Sequence, residues 1–170
     1  MKITKQLNTG EAMKYIHHFA ADSKIFLLVH NDEESRKAQL NAFKEARAHT
    51  YYIMSEKGKA KDKMGRCKEV LRAILHVLGQ PEPKGTASAY YRCLLNALSG
   101  EYAPILILDN ADVLDTYAIG LLYQLYNDRR ATVVLAGTNH FMERIQKRAE
   151  KRKDLYAGFE SRIMAYLIID

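Results

Sequence analysis

Cysteine is scarce in this chain: two among 170 residues, Cys67 and Cys93, with neither metal-ligand nor CxxC spacing. Such a pair cannot build a disulfide framework, and the simplest setting is a reducing, cytoplasmic one. Long apolar runs are missing too. None approaches the length that spans a bilayer, and Met1-Lys2-Ile3-Thr4 does not open a signal peptide, so a soluble protein without membrane contact is expected. No Ser-His-Asp or Cys-His constellation is legible. His17 and His18 are adjacent, so a helix would point the two rings apart, which argues against a metal pair. No internal repeat or low-complexity stretch occurs.

What remains is the composition of one folded domain. Hydrophobic residues make up 48% and charged ones 27%, ordinary proportions for a chain that buries a single core. The formal charge of +6 and pI near 9.2 lean toward an acidic partner, nucleic acid first.

The organising stretch is Pro104-Ile105-Leu106-Ile107-Leu108-Asp109-Asn110-Ala111-Asp112, four aliphatic residues running straight into an acid. A short unbroken apolar run suits a strand buried on both faces of a parallel sheet. Similar strands are expected at Ile25–Val29, Thr50–Met54, Ala131–Gly137 and Arg162–Ile169. Helical spacing links them: Thr9–Ala21 with Thr9 as cap, Arg36–His49 after a polar turn over His30–Ser35, and a helix marked by Met64, Leu71 and Ile74 that Gly79 and Pro81 end. Further helices follow from Thr86 to Leu98, from Asp112 to Asn127, and through Phe141, Ile145 and Ala149. The alternation implies a three-layer α/β/α sandwich around a five-stranded parallel sheet, in one domain over residues 1–170.

Three stretches give this pattern a resemblance. They are the strand Ile25–Val29 with its turn, Leu106-Ile107-Leu108-Asp109-Asn110-Ala111-Asp112-Val113-Leu114, and Val133-Val134-Leu135-Ala136-Gly137-Thr138-Asn139-His140-Phe141, with Phe159-Glu160-Ser161-Arg162-Ile163 completing the set. Together they resemble the AAA+ branch of the P-loop ATPases, and within it the target-selecting ATPases of DNA transposition: Mu B-type, TniB-like and TnsC-like proteins, with ExeA-type ATPases nearby. That resemblance implies a sheet with the final strand at one edge beside Ile25–Val29, then the Ala131–Gly137, Ile105–Asp109 and Thr50–Met54 strands. It also implies a magnesium-holding acid at Asp109, a polar sensor at Thr138 or Asn139, and at Arg162 the arginine that reaches toward a neighbour's nucleotide.

The sequence departs from the family where chemistry is done. A working P-loop reads G-x-x-x-x-G-K-[ST], with backbone N–H groups around the phosphates, lysine on the outer phosphates and a hydroxyl on magnesium. The corresponding residues are His30-Asn31-Asp32-Glu33-Glu34-Ser35-Arg36-Lys37: no glycine, Arg36 for the lysine, Lys37 for the hydroxyl, and three acids where phosphates would lie. The same acids suit a helix N-terminus, which stabilises a carboxylate by roughly 0.3–1 kcal/mol, and they are expected to replace phosphate as the capping anion. Asn110 stands where the water-activating glutamate belongs, and an amide cannot take a proton from water. The chain stops at Asp170, where the family's helical lid would begin. A silent nucleotide site is therefore expected, with no cofactor; ATP and magnesium belong to the competing reading, a slow ATPase with an unusual cradle. Each surviving residue also has a plain structural reading, with Asp109 capping a helix, Thr138 and Asn139 satisfying a loop and Arg162 pairing with a surface acid.

Two basic clusters remain. Lys57, Lys59, Lys61, Lys63 and Arg66 lie on a glycine-containing loop after Thr50–Met54, in the region from which the resembled ATPases contact DNA backbone; DNA contact is favoured there. Arg144, Lys147, Arg148, Lys151, Arg152 and Lys153 fit a solvated helix face better, with Glu143 and Lys147 at i,i+4. Tyrosines such as Tyr15, Tyr90, Tyr117 and Tyr126 read as packing residues. The expected role is contact, without turnover, with DNA, with a transposase or an ATP-active AAA+ paralogue, or with both, and an oligomer is one expected form. A protein-binding adaptor that never touches DNA is the remaining alternative.

Overall fold

The structure is a computed structural model that describes residues 3–20, 24–100, 103–128, 131–151 and 154–169. Its strands are β1 (Ile3–Leu7), β2 (Ile25–Val29), β3 (Thr50–Met54), β4 (Ile105–Asp109), β5 (Thr132–Gly137) and β6 (Ile163–Ile169). Its helices are α1 (Thr9–Phe19), α2 (Glu33–Glu45), α3 (Lys63–Val77), α4 (Ala87–Ala97), α5 (Thr116–Asn127), α6 (Asn139–Glu150) and α7 (Asp154–Arg162). All strand pairs are parallel, and the sheet order is β1-β6-β2-β5-β4-β3.

The expected succession β6-β2-β5-β4-β3 is present, but the sheet has six strands, not five. β1 pairs with β6 from Ile3↔Ala165 to Leu7↔Ile169, so the final strand is interior and β1 takes the edge. Its sequence, Ile-Thr-Lys-Gln-Leu, lacks the continuous apolar run of a doubly buried strand because only one of its long sides is paired.

The unbroken apolar strands are buried from both sides. β2, β4 and β5 are buried along their whole length. Alternation sends Phe26, Leu28, Ile105, Ile107, Val134 and Ala136 to one face, under Ala12 and Ile16 of α1 and Leu40 and Phe43 of α2. The other face carries Ile25, Leu27, Leu106, Leu108 and Leu135 under α3 to α7, with Leu71, Tyr90, Leu122, Phe141 and Phe159 in contact.

Caps explain most of the boundary differences. α1 is capped by Asn8, not Thr9: the Asn8 side chain accepts from the Glu11 N–H and the Glu11 carboxylate accepts from the Asn8 N–H. α2 starts at Glu33, inside the expected polar turn, because Asp32 caps it. After β4 comes a single 3-10 turn, Ala111–Val113, before Asp115 caps α5. α7 was not expected; it takes up Arg162, and β6 begins one residue later than its expected start. Arg152 and Lys153 lie outside the described residues. No helix among the described residues is long and apolar enough to cross a membrane.

Replacing Asn8 with Ala removes one half of the capping box and is expected to lower unfolding free energy by about 0.5–2 kcal/mol. Urea titration of the wild type and variant measures it, and Thr9→Ala should cost much less.

Candidate functional site

The carboxyl ends of β2, β4 and β5 converge where open α/β sheets place their ligands. Asp109 ends β4 there. It continues the Ile105, Ile107 face and is fully buried. The second group is Arg36, on the first turns of α2, where it shares the inner stripe with Leu40 and Phe43. Its guanidinium is 2% exposed, and Nε donates to Asp109 Oδ1 at 2.5 Å. Nη1 donates to the His30 carbonyl at 2.8 Å.

The carboxylate is satisfied from three directions. Besides Arg36, the Tyr52 hydroxyl donates to Oδ2 at 2.7 Å and the Asn110 N–H to Oδ1 at 2.7 Å. Burial, and then the neighbouring carboxylate, push the Tyr52 hydroxyl far above its ordinary range, so it stays a donor. Tyr52 was missed by sequence reasoning. A signal existed: it lies two residues before Met54, which pairs with Asp109 in the β3–β4 register, so both side chains belong to one face.

The loop from β2 to α2 closes on itself. His30 is buried, and its Nδ1 accepts from the Asp32 N–H at 3.1 Å. Nε2 therefore carries the ring proton toward Ser35 Oγ, 3.2 Å away. Asp32 Oδ1 accepts from the Ser35 N–H at 2.8 Å. Glu33 and Glu34 occupy the first turn, with Lys37 Nζ 2.8 Å and 3.9 Å from their carboxylates. That contact lowers the Glu33 pKa and raises that of Lys37. Asn31 reaches across to the loop after β5, its Oδ1 accepting from the Asn139 N–H at 3.1 Å.

Asn110 holds a left-handed backbone (φ 54°, ψ 41°), a region asparagine tolerates better than most residues. Its side-chain amide donates to the Ser55 carbonyl at 3.3 Å. Thr138 is the N-cap residue of α6, yet its hydroxyl turns to Asp112 Oδ1 at 2.6 Å, and its N–H donates to Asp112 Oδ2 at 2.9 Å. Gly137 leaves room for that carboxylate; a Cβ there would lie 2.8 Å from Asp112 Oδ2. Arg144 is no solvated cation. It donates to the carbonyls of Ala111, Asp112 and Leu114 and so clamps the 3-10 turn. Lys147 does pair with Glu143, at 3.3 Å.

The donor set does not fit a magnesium–triphosphate. Both oxygens of Asp109, expected to be the magnesium acid, are engaged by chain donors, Arg36 at the lysine position is turned inward, and the Asp32 and Ser35 N–H groups are spent on His30 and Asp32.

Arg162 is exposed and has no hydrogen bond or ion pair among the described residues. It precedes β6 and thus lies at the opposite end of the parallel sheet from Asp109. Lys57, Lys59 and Lys61 are exposed on the basic loop, whereas Lys63, also exposed, and Arg66 belong to the first turn of α3, which Asp62 caps, and not to the loop as expected. Arg66 differs: its guanidinium bonds Asp115 Oδ2 at 2.7 Å and the Ala60 carbonyl at 2.9 Å. Burial raises the Asp115 pKa, but Arg66 and the N–H groups of Ala118 and Tyr117 outweigh it, leaving the carboxyl below its usual range.

Sheet order, converging strand ends and an acid closing the interior strand β4 define a P-loop NTPase fold of the AAA+ type. The sequence of residues 35–145, about two thirds of the chain, matches the AAA domain family, and the chain belongs to it. The match begins at Ser35, past most of the altered loop. Solved structures of like fold include a chain from Drosophila ORC bound to poly(dA/dT) DNA and Cdc6, with TM-score 0.64 and 12% identity, covering 96% of this chain and 29% of that one. Another comes from Drosophila ORC bound to AT-rich DNA and Cdc6, with TM-score 0.64 and 9% identity, covering 95% of this chain and 28% of that one. A third, from Drosophila ORC bound to DNA, has TM-score 0.61 and 9% identity, covering 95% and 30%. The chain thus spans under a third of each of these chains. No curated protein matches it.

Arg36→Met leaves the Asp109 carboxylate buried without its cation and is expected to cost about 3–5 kcal/mol. The triple change Arg36→Met, Asp109→Leu, Tyr52→Phe removes the side-chain polar partners together and should recover most of that loss. Chemical denaturation of the two variants against wild type decides it.

Proposed function

We propose that this domain is a non-hydrolysing relative of the AAA+ ATPases that target DNA transposition, acting by contact with DNA and with a protein partner. The observation that carries the reading is the Arg36–Asp109 pair, a buried internal ion pair where the family holds phosphate and magnesium. Asn110 supports it, since its amide is engaged with a backbone carbonyl and has no basic atom for water. The partner is a transposase or an ATP-active AAA+ paralogue. Arg162, exposed and unengaged among the described residues, supports docking against a neighbouring subunit.

Four exposed lysines support DNA as the second partner. Alternate charges on a loop and the helix start that follows it neutralise phosphates without reading bases. The loop is also held in place: the Glu69 carboxylate accepts from the N–H groups of Lys59 and Ala60, at 3.0–3.2 Å. The ORC chains of like fold come from DNA-bound assemblies, which is consistent with this reading.

Isothermal calorimetry with magnesium-ATP is expected to give no binding heat; saturable binding at micromolar nucleotide would overturn the silent-site reading. Changing Lys57, Lys59, Lys61 and Lys63 to Glu should weaken duplex binding for all sequences alike. The slope of log affinity against log salt should flatten by about 0.9 for each phosphate that the variant no longer neutralises. Unchanged affinity in the variant would remove DNA from the proposal.

A further inference from the structure

Tyr117, expected to pack, is instead 40% exposed, while Tyr90 is buried. Among the described residues only Met54, Met64 and Tyr117 are large hydrophobics exposed to this extent, and two of them flank Lys63. Met64 follows it in the first turn of α3, and the Lys63 ammonium lies over the Tyr117 ring, 5.7 Å from its centre. Exposed apolar side chains scattered singly need no explanation, but a group of them beside a basic segment marks an interaction surface.

The backbone that carries this ring is firmly held. Asp115 Oδ1 accepts from the N–H groups of Tyr117 and Ala118, each at 2.9 Å, and Asp115 Oδ2 ties the same turn to Arg66 of α3. Cys67, one turn beyond Lys63 on the same face of α3, donates its thiol to the Tyr117 carbonyl at 3.9 Å. A cavity of about 480 Å³ opens beside this junction, between β3, α3 and the turn before α5, on the opposite face of the sheet from Asp109. Its charges balance, Lys57, Lys59, Arg66 and Arg72 against Glu56, Glu69, Glu82 and Asp115, so it selects no charged ligand. Lys61 and Lys63 lie outside that lining, and Asp62, the acid between them, is spent on capping α3. The Lys61 ammonium has no partner among the described residues.

We infer that the DNA met by this basic segment is single-stranded, with an unpaired base stacked on the Tyr117 ring beside Met64 and the adjoining phosphates at Lys61 and Lys63. The inference rests on the DNA contact proposed above and narrows it. A duplex offers its phosphates to the lysines but keeps its base faces inside the stack, which leaves Tyr117 without a partner. A single strand offers both, and an aromatic ring accepts the face of any base, so the contact carries no sequence preference.

Fluorescence anisotropy of the full chain tests this with three labelled probes of equal length: an oligothymidylate, the same backbone with abasic sugars, and a duplex. The oligothymidylate should bind tightest, and loss of its bases should cost about tenfold. Tyr117→Ala should weaken oligothymidylate binding by about tenfold while sparing the abasic strand and the duplex. Its salt slope should not change, because no phosphate contact is lost. Tyr117→Phe, which keeps the ring, should bind as the wild type does. If Tyr117→Ala does not fold, the comparison of oligothymidylate with abasic strand on the wild type decides. Equal affinity for the three probes, or a Tyr117→Ala variant that binds oligothymidylate unchanged or weakens on all probes alike, overturns the single-strand assignment and leaves the DNA reading standing. Absence of binding to every probe overturns both and leaves the surface to a protein.

Discussion

One buried ion pair governs the architecture of the cradle end. Arg36 and Asp109 lie on different elements, far apart in the chain, and neither reaches solvent. Opposite charges attract far more strongly away from water, but removing them from water costs several kcal/mol per ion. That cost is offset only where every remaining lone pair and N–H finds a partner. Here Tyr52, the Asn110 N–H and the His30 carbonyl supply those partners, drawn from β3, the turn after β4 and the end of β2. Each of those elements is thereby held to α2. A nucleotide does the same tying in a working P-loop protein, with phosphate and metal between lysine and acid. In this chain the Arg36 guanidinium meets the Asp109 carboxylate directly.

The N-terminus of α2 follows the same logic. Its unpaired N–H groups and partial positive charge call for an anion. Asp32 supplies the cap, Glu33 and Glu34 stand beside it, and Lys37 balances them from the next turn. Cap and charge balance at this helix end both come from one stretch of polypeptide. Conformation agrees with composition: without glycine the loop lacks easy access to positive φ, and it satisfies its N–H groups through His30 and Asp32.

Sequence patterning made the interior strands and the layer arrangement legible, because β2, β4, β5 and β6 carry apolar residues on both faces, while the strand order came from the family resemblance. It failed at β1, whose single pairing edge permits Thr4, Lys5 and Gln6, and at α7, which follows a basic stretch with no cap signal. At the site the three acids, Arg36 and Asn110 were visible as departures from a motif. Their consequence was not. Arg36 recurs with Leu40 and Phe43 at i, i+4, i+7, so helical periodicity alone places it inside; the motif's lysine at that position speaks only of phosphate and is silent on what an arginine there would touch. Arg144 shows the converse difficulty. Nothing local separates a surface arginine from one that gathers three carbonyls, since that depends on the 3-10 turn of another segment.

The end of β4 serves two compartments. Leu108 belongs to the cavity wall and Asp109 to the ion pair, one residue apart and on opposite faces of the same strand. Asn110 then joins the two sides, its N–H on Asp109 and its amide on the Ser55 carbonyl, while the Ser55 N–H donates to the Asp109 carbonyl. A left-handed residue at this point is what lets one short turn face both ways. In an active family member the same turn would present a glutamate to water, and that orientation would be fixed by the reaction. Asn110 thus braces the ion pair on one face of the sheet to the cavity on the other. The strand ends point at the cradle, and a cavity opens on the α3 side of the sheet.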